Sequence, residues 1–494
     1  MPEMGPASPT SKTMTALFTT AVWGAEYVDR FLGYSLPTQL SKGNLGVFDS
    51  SSVYLLVSDS QSIKLITASP VYHALKEVLS VEFADIASIQ AFTRDKYSTL
   101  AACQNYALAC AANFDAVFFG YGDALWADGS FRAARKQIDE GYDAVFAFGY
   151  PVLDAPFKAF IDARSDAARR PAVAVEPRAF ASHVYQHLHP MALANRWHSE
   201  WMTHCPSYIL WDVPKQGLLL RSFHLHPVAV RIPKRSAGFH LPFRTTLDEE
   251  FVARLYRMNP RVYVCTNSDE IGVCSLAENT NCRYQMEPPR PVNVGDVATF
   301  AEGHAGMLHR ELFTRSIRLV IEDPIEGRWR DAEDEAKAIT SELQRRLSTP
   351  DSVLALEQPT AFAARMHRQE TYQHWSNSDE VFVPIDSVDR LTPGNHFPNV
   401  QNVFAANYLK SLRHSVLGTV NSRIHVSCIS ILQALRITRA VRLSVMPRLP
   451  YRLQRRMLNL YCRFTGLGPS VRPLFAPKRW TILKWLRGLL RFAQ

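Results

Sequence analysis

Short apolar runs alternate with polar or amphipathic segments over the first third of the chain. Residues 15–22, 53–57 and 81–86 read as strands, and residues 26–40, 70–79 and 97–113 as helices, with Pro37 interrupting the first helix. Residues 63–67 form a further apolar run. The pattern is clearest over residues 114–150, where the runs 116–119 and 144–148 flank a helical stretch near 130–140. Runs this short and this uniformly apolar are typical of strands buried on both faces of a parallel sheet. Repeated strand–helix–strand order predicts an α/β fold with a doubly wound, mostly parallel sheet.

Further on the rhythm changes. Residues 157–170 read as a helix. Residues 207–213 and 217–223 read as two strands joined by a Pro-Lys-Gln-Gly turn, and 261–266 as another strand. Residues 300–345 look helical, with a charged amphipathic stretch at 332–347. Residues 350–398 hold several prolines and few clear periods, as a linker would. The expected organisation is a disordered N-terminus over 1–13, a main domain over 14–300, a helical extension and linker over 301–390, and a helical C-terminal region over 391–494.

Charge changes that picture at one end. The net charge of +9 is unevenly spread: residues 391–494 contain no Asp or Glu and 17 Lys or Arg, so the remainder is acidic. The chain ends in Lys478-Arg479-Trp480-Thr481-Ile482-Leu483-Lys484-Trp485-Leu486-Arg487, then Leu and Phe. A short basic helix with Trp on its apolar side is expected to lie on an anionic membrane surface. Docking on the protein's own acidic body is the alternative. No nucleic-acid motif is present, and nucleic-acid binding is not expected. No stretch reaches the roughly 18 apolar residues of a spanning helix. The eight cysteines form no Cys-x-x-Cys pair. Their scatter through apolar segments predicts reduced, buried thiols and a cytoplasmic location, with the tail allowing peripheral contact with the inner face of the membrane.

Candidate chemistry gathers after the predicted strands. There is no Gly-x-Gly-x-x-Gly after the first strand and no Walker lysine motif, which disfavours dinucleotide enzymes and P-loop NTPases. The run 116–119 ends in Gly120-Tyr121-Gly122-Asp123, placing Asp123 where open parallel sheets bind ligands and where a carboxylate suits a metal carrying a phosphate. Arg94 and Lys96, before the next helix, could meet a diphosphate. His224 and His226 alternate along an extended chain, so both imidazoles would face one metal or phosphate. Asp248, Asp269 and Glu270 are candidate acids for chemistry at an anomeric carbon, which needs a carboxylate to deprotonate the acceptor or stabilise a cationic transition state. His183 and His187 are four apart and read as polar helix-face residues. A zinc protease motif would need Glu where Val184 stands.

The segment Asp115-Ala-Val-Phe-Phe-Gly-Tyr-Gly-Asp123, followed by Ala127-Asp-Gly-Ser130, resembles the centre of GT-A type glycosyltransferases, in which a strand ends in an Asp-x-Asp motif. Here the last acid matches and Tyr121 occupies the position of the first. With His-Leu-His-Pro at 224–227 and Ser-Asp-Glu at 268–270, the chain is similar to bacterial enzymes of this type that build surface polysaccharides, over residues 14–300. The resemblance implies a GT-A-like fold and transfer of a sugar from a nucleotide-sugar donor to a glycan or lipid-linked acceptor. It implies Mn²⁺ or Mg²⁺ at Asp123 with a histidine as further ligand, and Trp23 and Asp59 near the base. Two other classes stay open: a metal-dependent hydrolase joining His183, His187 and His224 to Asp123, and a non-catalytic membrane-associated scaffold.

Overall fold

A computed structural model describes residues 14–90, 96–165, 171–200, 206–233, 251–252, 255–256, 260–278, 291–358, 361–366 and 368. Arg94, Asp248, the N-terminal segment and the basic tail lie outside the described residues. The described residues belong to two compact units, one of 14–293 with 306–341, the other of 294–305 with 342–368.

The first unit is a mixed α/β fold. Its strands are β1 (Ala16–Ala21), β2 (Val53–Ser58), β3 (Ser80–Asp85), β4 (Ala116–Phe119), β5 (Ala124–Trp126), β6 (Ala144–Ala147), β7 (Tyr150–Leu153), β8 (Tyr208–Val213), β9 (Gly217–Ser222), β10 (His226–Arg231), β11 (Val262–Val264), β12 (Val273–Ala277) and β13 (Ile317–Val320). Seven of them form a sheet in the order β11-β6-β10-β4-β1-β2-β3. Pairing is parallel except at β10, which runs antiparallel to both β4 and β6. This mostly parallel arrangement is consistent with a Rossmann-like fold.

The two apolar runs around residue 130 are indeed β4 and β6, buried along their whole lengths. They are not neighbours, because β10 lies between them. Sequence periodicity carries no information about which strand pairs with which, so this insertion was not visible in it. Phe18 of β1 and Phe118 of β4 pack with ring centroids 4.9 Å apart and planes tilted by 30°. Both contact Phe131, on the helix Ser130–Asp139, which also meets Trp126 of β5 at 4.8 Å. This aromatic core anchors both ends of the 120–123 loop.

Three local readings change. Residues 63–67 belong to the helix Ser60–Thr67, whose first turn is capped by Asp59. A single capping acid outweighs a five-residue apolar run that is ambiguous between helix and strand. The helix begun at Ala25–Arg30 continues through a π turn, Phe31–Ser35, into Leu36–Gln39. Leu36 N–H donates to Phe31 O five residues back, and Pro37, which has no N–H to donate, follows at once. Within 300–345, residues 317–320 form β13, an edge strand on β9. In the second unit, Arg365 joins the buried Glu302 at 2.5 Å and Asp351 at 2.9 Å. Cys103, Cys110, Cys265 and Cys274 are buried free thiols, and burial pushes Cys265 up to about 12.

Candidate functional site

Strand order reverses at β1: β2 and β3 lie on one side, β4 on the other. The crevice past the carboxyl ends of β1 and β4 is the switch point at which open α/β sheets bind ligands. Val22-Trp23-Gly24 leaves β1 there, and Gly120-Tyr121-Gly122-Asp123 leaves β4. The two loops touch. A Cβ on Gly122 would lie 3.2 Å from the Val22 side chain, and one on Gly120 would run into Thr20 Oγ1. Only glycine permits that approach at residue 120.

A buried hydrogen-bond chain holds the loop from below. Thr20 Oγ1 bonds Tyr54 OH at 2.7 Å, and Tyr54 O–H donates to Gln39 Oε1 at 2.8 Å. Gln39 Nε2 donates to Ser35 Oγ, whose hydroxyl donates to Tyr121 O, each at 3.0 Å. Ser35 lies in the π turn, which is what brings its hydroxyl under the loop. Asp123 O accepts from Leu276 N–H of β12 at 2.9 Å, fixing the other end.

Asp123 is half-buried, and among the described residues no other side chain hydrogen-bonds or ion-pairs with its carboxylate. Burial raises its pKa above the ordinary carboxylate value, and the charges of Arg30 and Lys96 only partly oppose this. A desolvated acid in that condition is suited to a cation. Tyr121 packs against the His226 ring at 5.2 Å. His226 opens β10 opposite Ala147, and its ring lies so close to Gly149 that a Cβ there would be 2.6 Å from Nε2. Tyr121, Asp123 and His226 are thus brought to one strand-end region.

Asp59 caps the helix after β2. Its carboxylate accepts from Gln61 N–H at 2.9 Å, Ser62 N–H at 2.8 Å and Ser62 Oγ–H at 2.7 Å, while Ser62 Oγ accepts from Gly24 N–H at 3.1 Å. It therefore shapes the Trp23-Gly24 loop. Burial pushes the Asp59 carboxyl up, but the Ser62 hydroxyl and the backbone donors outweigh this and hold it below its usual value. A lowered folded pKa stabilises above the unfolded value, and that contribution disappears as pH falls through the folded one. Asp59→Ala is expected to cost about 1 kcal/mol at pH 7. Thermal melts of wild type and variant should draw together as pH falls below the ordinary carboxylate range and through the lowered folded value; a gap that does not shrink with falling pH would mean the carboxylate charge is not what stabilises.

Other sequence candidates are placed elsewhere. The rings of His224 and His226 have different neighbours. Ser222 Oγ–H donates to His224 O at 2.6 Å and accepts from His224 N–H at 3.2 Å, bending the chain just before β10. The His224 ring meets His309 at 4.5 Å. Asp269 is engaged by Arg178 Nε at 2.5 Å, and Glu270 accepts from Tyr263 OH at 2.6 Å and from Gln137 at 3.4 Å. Both acids thus have side-chain partners of their own. His183 stacks on Phe160 at 4.0 Å and meets His187 at 4.4 Å, with burial lowering its pKa. Lys96 starts the helix Lys96–Cys110 and is exposed.

Two charged residues had no sequence signal. Arg30, whose side chain is only 6% exposed, contacts Glu278 at 2.5 Å, Glu26 at 2.6 Å and Asp154 at 3.6 Å. Glu278 follows β12 two residues after Leu276, the partner of Asp123, which carries it toward the same loop. The pairing of β12 with β5 and β7, segments more than a hundred residues earlier, brings it there. Among the described residues no group of three His, Cys, Asp or Glu side chains could by itself hold a metal ion.

No family model matches the chain, and no curated protein matches it. Solved structures do. Mouse xyloside xylosyltransferase 1, apo form, is 15% identical at a TM-score of 0.20, over 28% of this chain and 53% of that one. S. aureus TarS is 12% identical at a TM-score of 0.28, over 71% of this chain and 48% of that one. The chain thus spans about half the length of these structures, and identities and TM-scores this low assign it to no family.

Proposed function

We propose that the chain is a glycosyltransferase of GT-A type, moving a sugar from a nucleotide-sugar donor to a hydroxyl of a glycan or lipid-linked acceptor. The observation that carries this reading is Asp123: a desolvated carboxylate without a side-chain partner, at the switch point of the sheet, within range of the Arg30 and Lys96 charges. Trp23 and Asp59 border the ends of β1 and β2, where the nucleoside would lie. Lys96 and, from the sequence, Arg94 supply positive charge for the diphosphate. Mg²⁺ and its relatives are commonly held by one or two carboxylates plus substrate phosphates, so Asp123, with His226 as second candidate, fits Mn²⁺ or Mg²⁺ without a protein-only cage. Bound there, the ion would neutralise charge on the leaving diphosphate. For the acceptor hydroxyl the candidate acids are Asp269, Glu270 and, from the sequence, Asp248; Glu278 joins them because it follows the strand paired to Asp123, and substrate would have to draw it from Arg30.

The test is hydrolysis of UDP-, GDP-, dTDP- and CMP-sugars by the full chain with Mn²⁺ or Mg²⁺. Turnover of at least one donor is expected; no turnover and no nucleotide binding across the panel would refute the reading. The hydrolase alternative needs His183, His187 and His224 around Asp123, and these histidines have the other partners given above. For the tail, reversible binding to anionic vesicles is proposed from sequence. Deleting residues 478–494 should abolish low-salt co-sedimentation while preserving donor hydrolysis. Equal sedimentation of both forms would exclude this segment as the anchor. Among the described residues no helix is long and apolar enough to cross a membrane.

A further inference from the structure

A second concavity lies on the first unit, apart from the Asp123 loop. It is a cleft of about 580 Å³ bounded by the segment after the helix Pro190–Leu193, by β8 and the turn after it, and by the helix Glu326–Leu347. That volume suits a ligand of drug or oligosaccharide size. Two indoles line it, Trp197 and Trp211, with ring centroids 6.4 Å apart and planes 30° from parallel. Trp197 is partly exposed; Trp211 is buried behind it.

The polar lining carries both signs of charge. Arg196 pairs with Asp212 at 3.2 Å and His198 with Glu335 at 3.2 Å, while Arg328 and Asp331 stand exposed on the long helix. Two Arg against three carboxylates, with a histidine among them, leave a small net charge and little pull toward a polyanion or polycation. They give instead many donors and acceptors beside a large apolar ring. Two buried donors in the lining, Trp211 Nε1 and Arg196 Nε, also have no acceptor among the described residues. Buried donors are normally satisfied, so a ligand oxygen would meet these two only where the lining side chains give way to it.

We infer that this cleft binds a neutral oligosaccharide. A sugar ring offers an apolar C–H face for an indole and a rim of hydroxyls that both donate and accept. Planar Arg and carboxylate groups match that rim, and the uncharged ligand matches the nearly balanced lining. The choice of a glycan over other neutral polyhydroxyl ligands rests on the transferase reading, in which the cleft holds distal sugars of the acceptor. The chain itself connects the two places. His189 Nε2 donates to Glu278 O at 2.9 Å, and its Nδ1 accepts from Met191 N–H at 3.2 Å, starting the short helix that leads to Arg196 and Trp197.

Calorimetric titration of the full chain with malto-, cello-, manno- and chitohexaose tests this. At least one should bind, Trp197→Ala should weaken it about tenfold or more, and Asp331→Ala, on an exposed helix surface where folding is not at stake, should weaken it several-fold. Asp123→Asn should leave the affinity unchanged. No binding by any of the four, or wild-type affinity in both cleft variants, would overturn the inference. Oligosaccharide binding without donor turnover would remove the transferase reading and leave the cleft standing; turnover without oligosaccharide binding would do the reverse.

Discussion

Asp123→Asn should reduce sugar-nucleotide turnover by about 10²–10³-fold while leaving the protein as stable as before, or slightly more so. The first half follows from the proposed role. A charge stabilising the leaving diphosphate is worth several kcal/mol, and each 1.36 kcal/mol is tenfold in rate. The second half follows from the structure alone. Burial raises the Asp123 pKa, so its ionised form is penalised in the folded protein and no side-chain partner offsets this. An amide of the same shape removes that penalty and keeps the backbone bond from Leu276 to Asp123 O. Donor hydrolysis and a thermal melt on one preparation separate the two effects. A folded variant with unchanged turnover would remove Asp123 from the chemistry, and a clear loss of melting temperature would show that the carboxylate has a structural partner after all.

Arg30→Ala should be the most destabilising of these substitutions, by about 3–5 kcal/mol, the usual loss when one side of a buried charge cluster is removed. The Arg30 guanidinium is almost wholly enclosed and meets three carboxylates on three different segments: its own helix, the helix Asp154–Asp162, and the end of β12. Without it Glu26, Asp154 and Glu278 repel one another, with Lys158 left to pair with Asp154 alone. Those acids are between 21% and 62% exposed, so water relieves part of the repulsion and the lower half of the range is expected. Chemical denaturation at low and high salt is the measurement. A loss below 1 kcal/mol at both would show that the cluster is solvent-screened and contributes little.

Strand and helix positions were largely legible because they are written locally. β1, β2, β4, β6, β8 and β9 fall within a residue or two of where apolar runs and turn residues put them. Asp123 was legible for the same reason, as a residue immediately following such a run. Pairing was not. The place of β10 between β4 and β6, the β5–β12 ladder that delivers Glu278, and the enclosure of Arg30 are all contacts between distant segments. The contact of the His224 ring with His309 is likewise one between distant segments, which spacing along the chain does not carry. Asp269 and Glu270 follow a strand as Asp123 does, yet Arg178 and Tyr263 engage them. Position after a strand nominates an acid; only its partners decide whether it is available.

The antiparallel insertion of β10 also sets the timetable of assembly. The centre of the sheet is discontinuous until residues 226–231 arrive, roughly a hundred residues after β4 has been made. At ribosomal rates of about 5–20 residues per second, β4 waits with one unpaired edge and β6 with two, for roughly 4–20 s. Both are short, fully apolar strands, the kind whose exposed edges recruit other chains. The nascent first half should therefore be a client of holding chaperones, and truncations ending between residues 153 and 225 should aggregate where those reaching past residue 264 remain in solution.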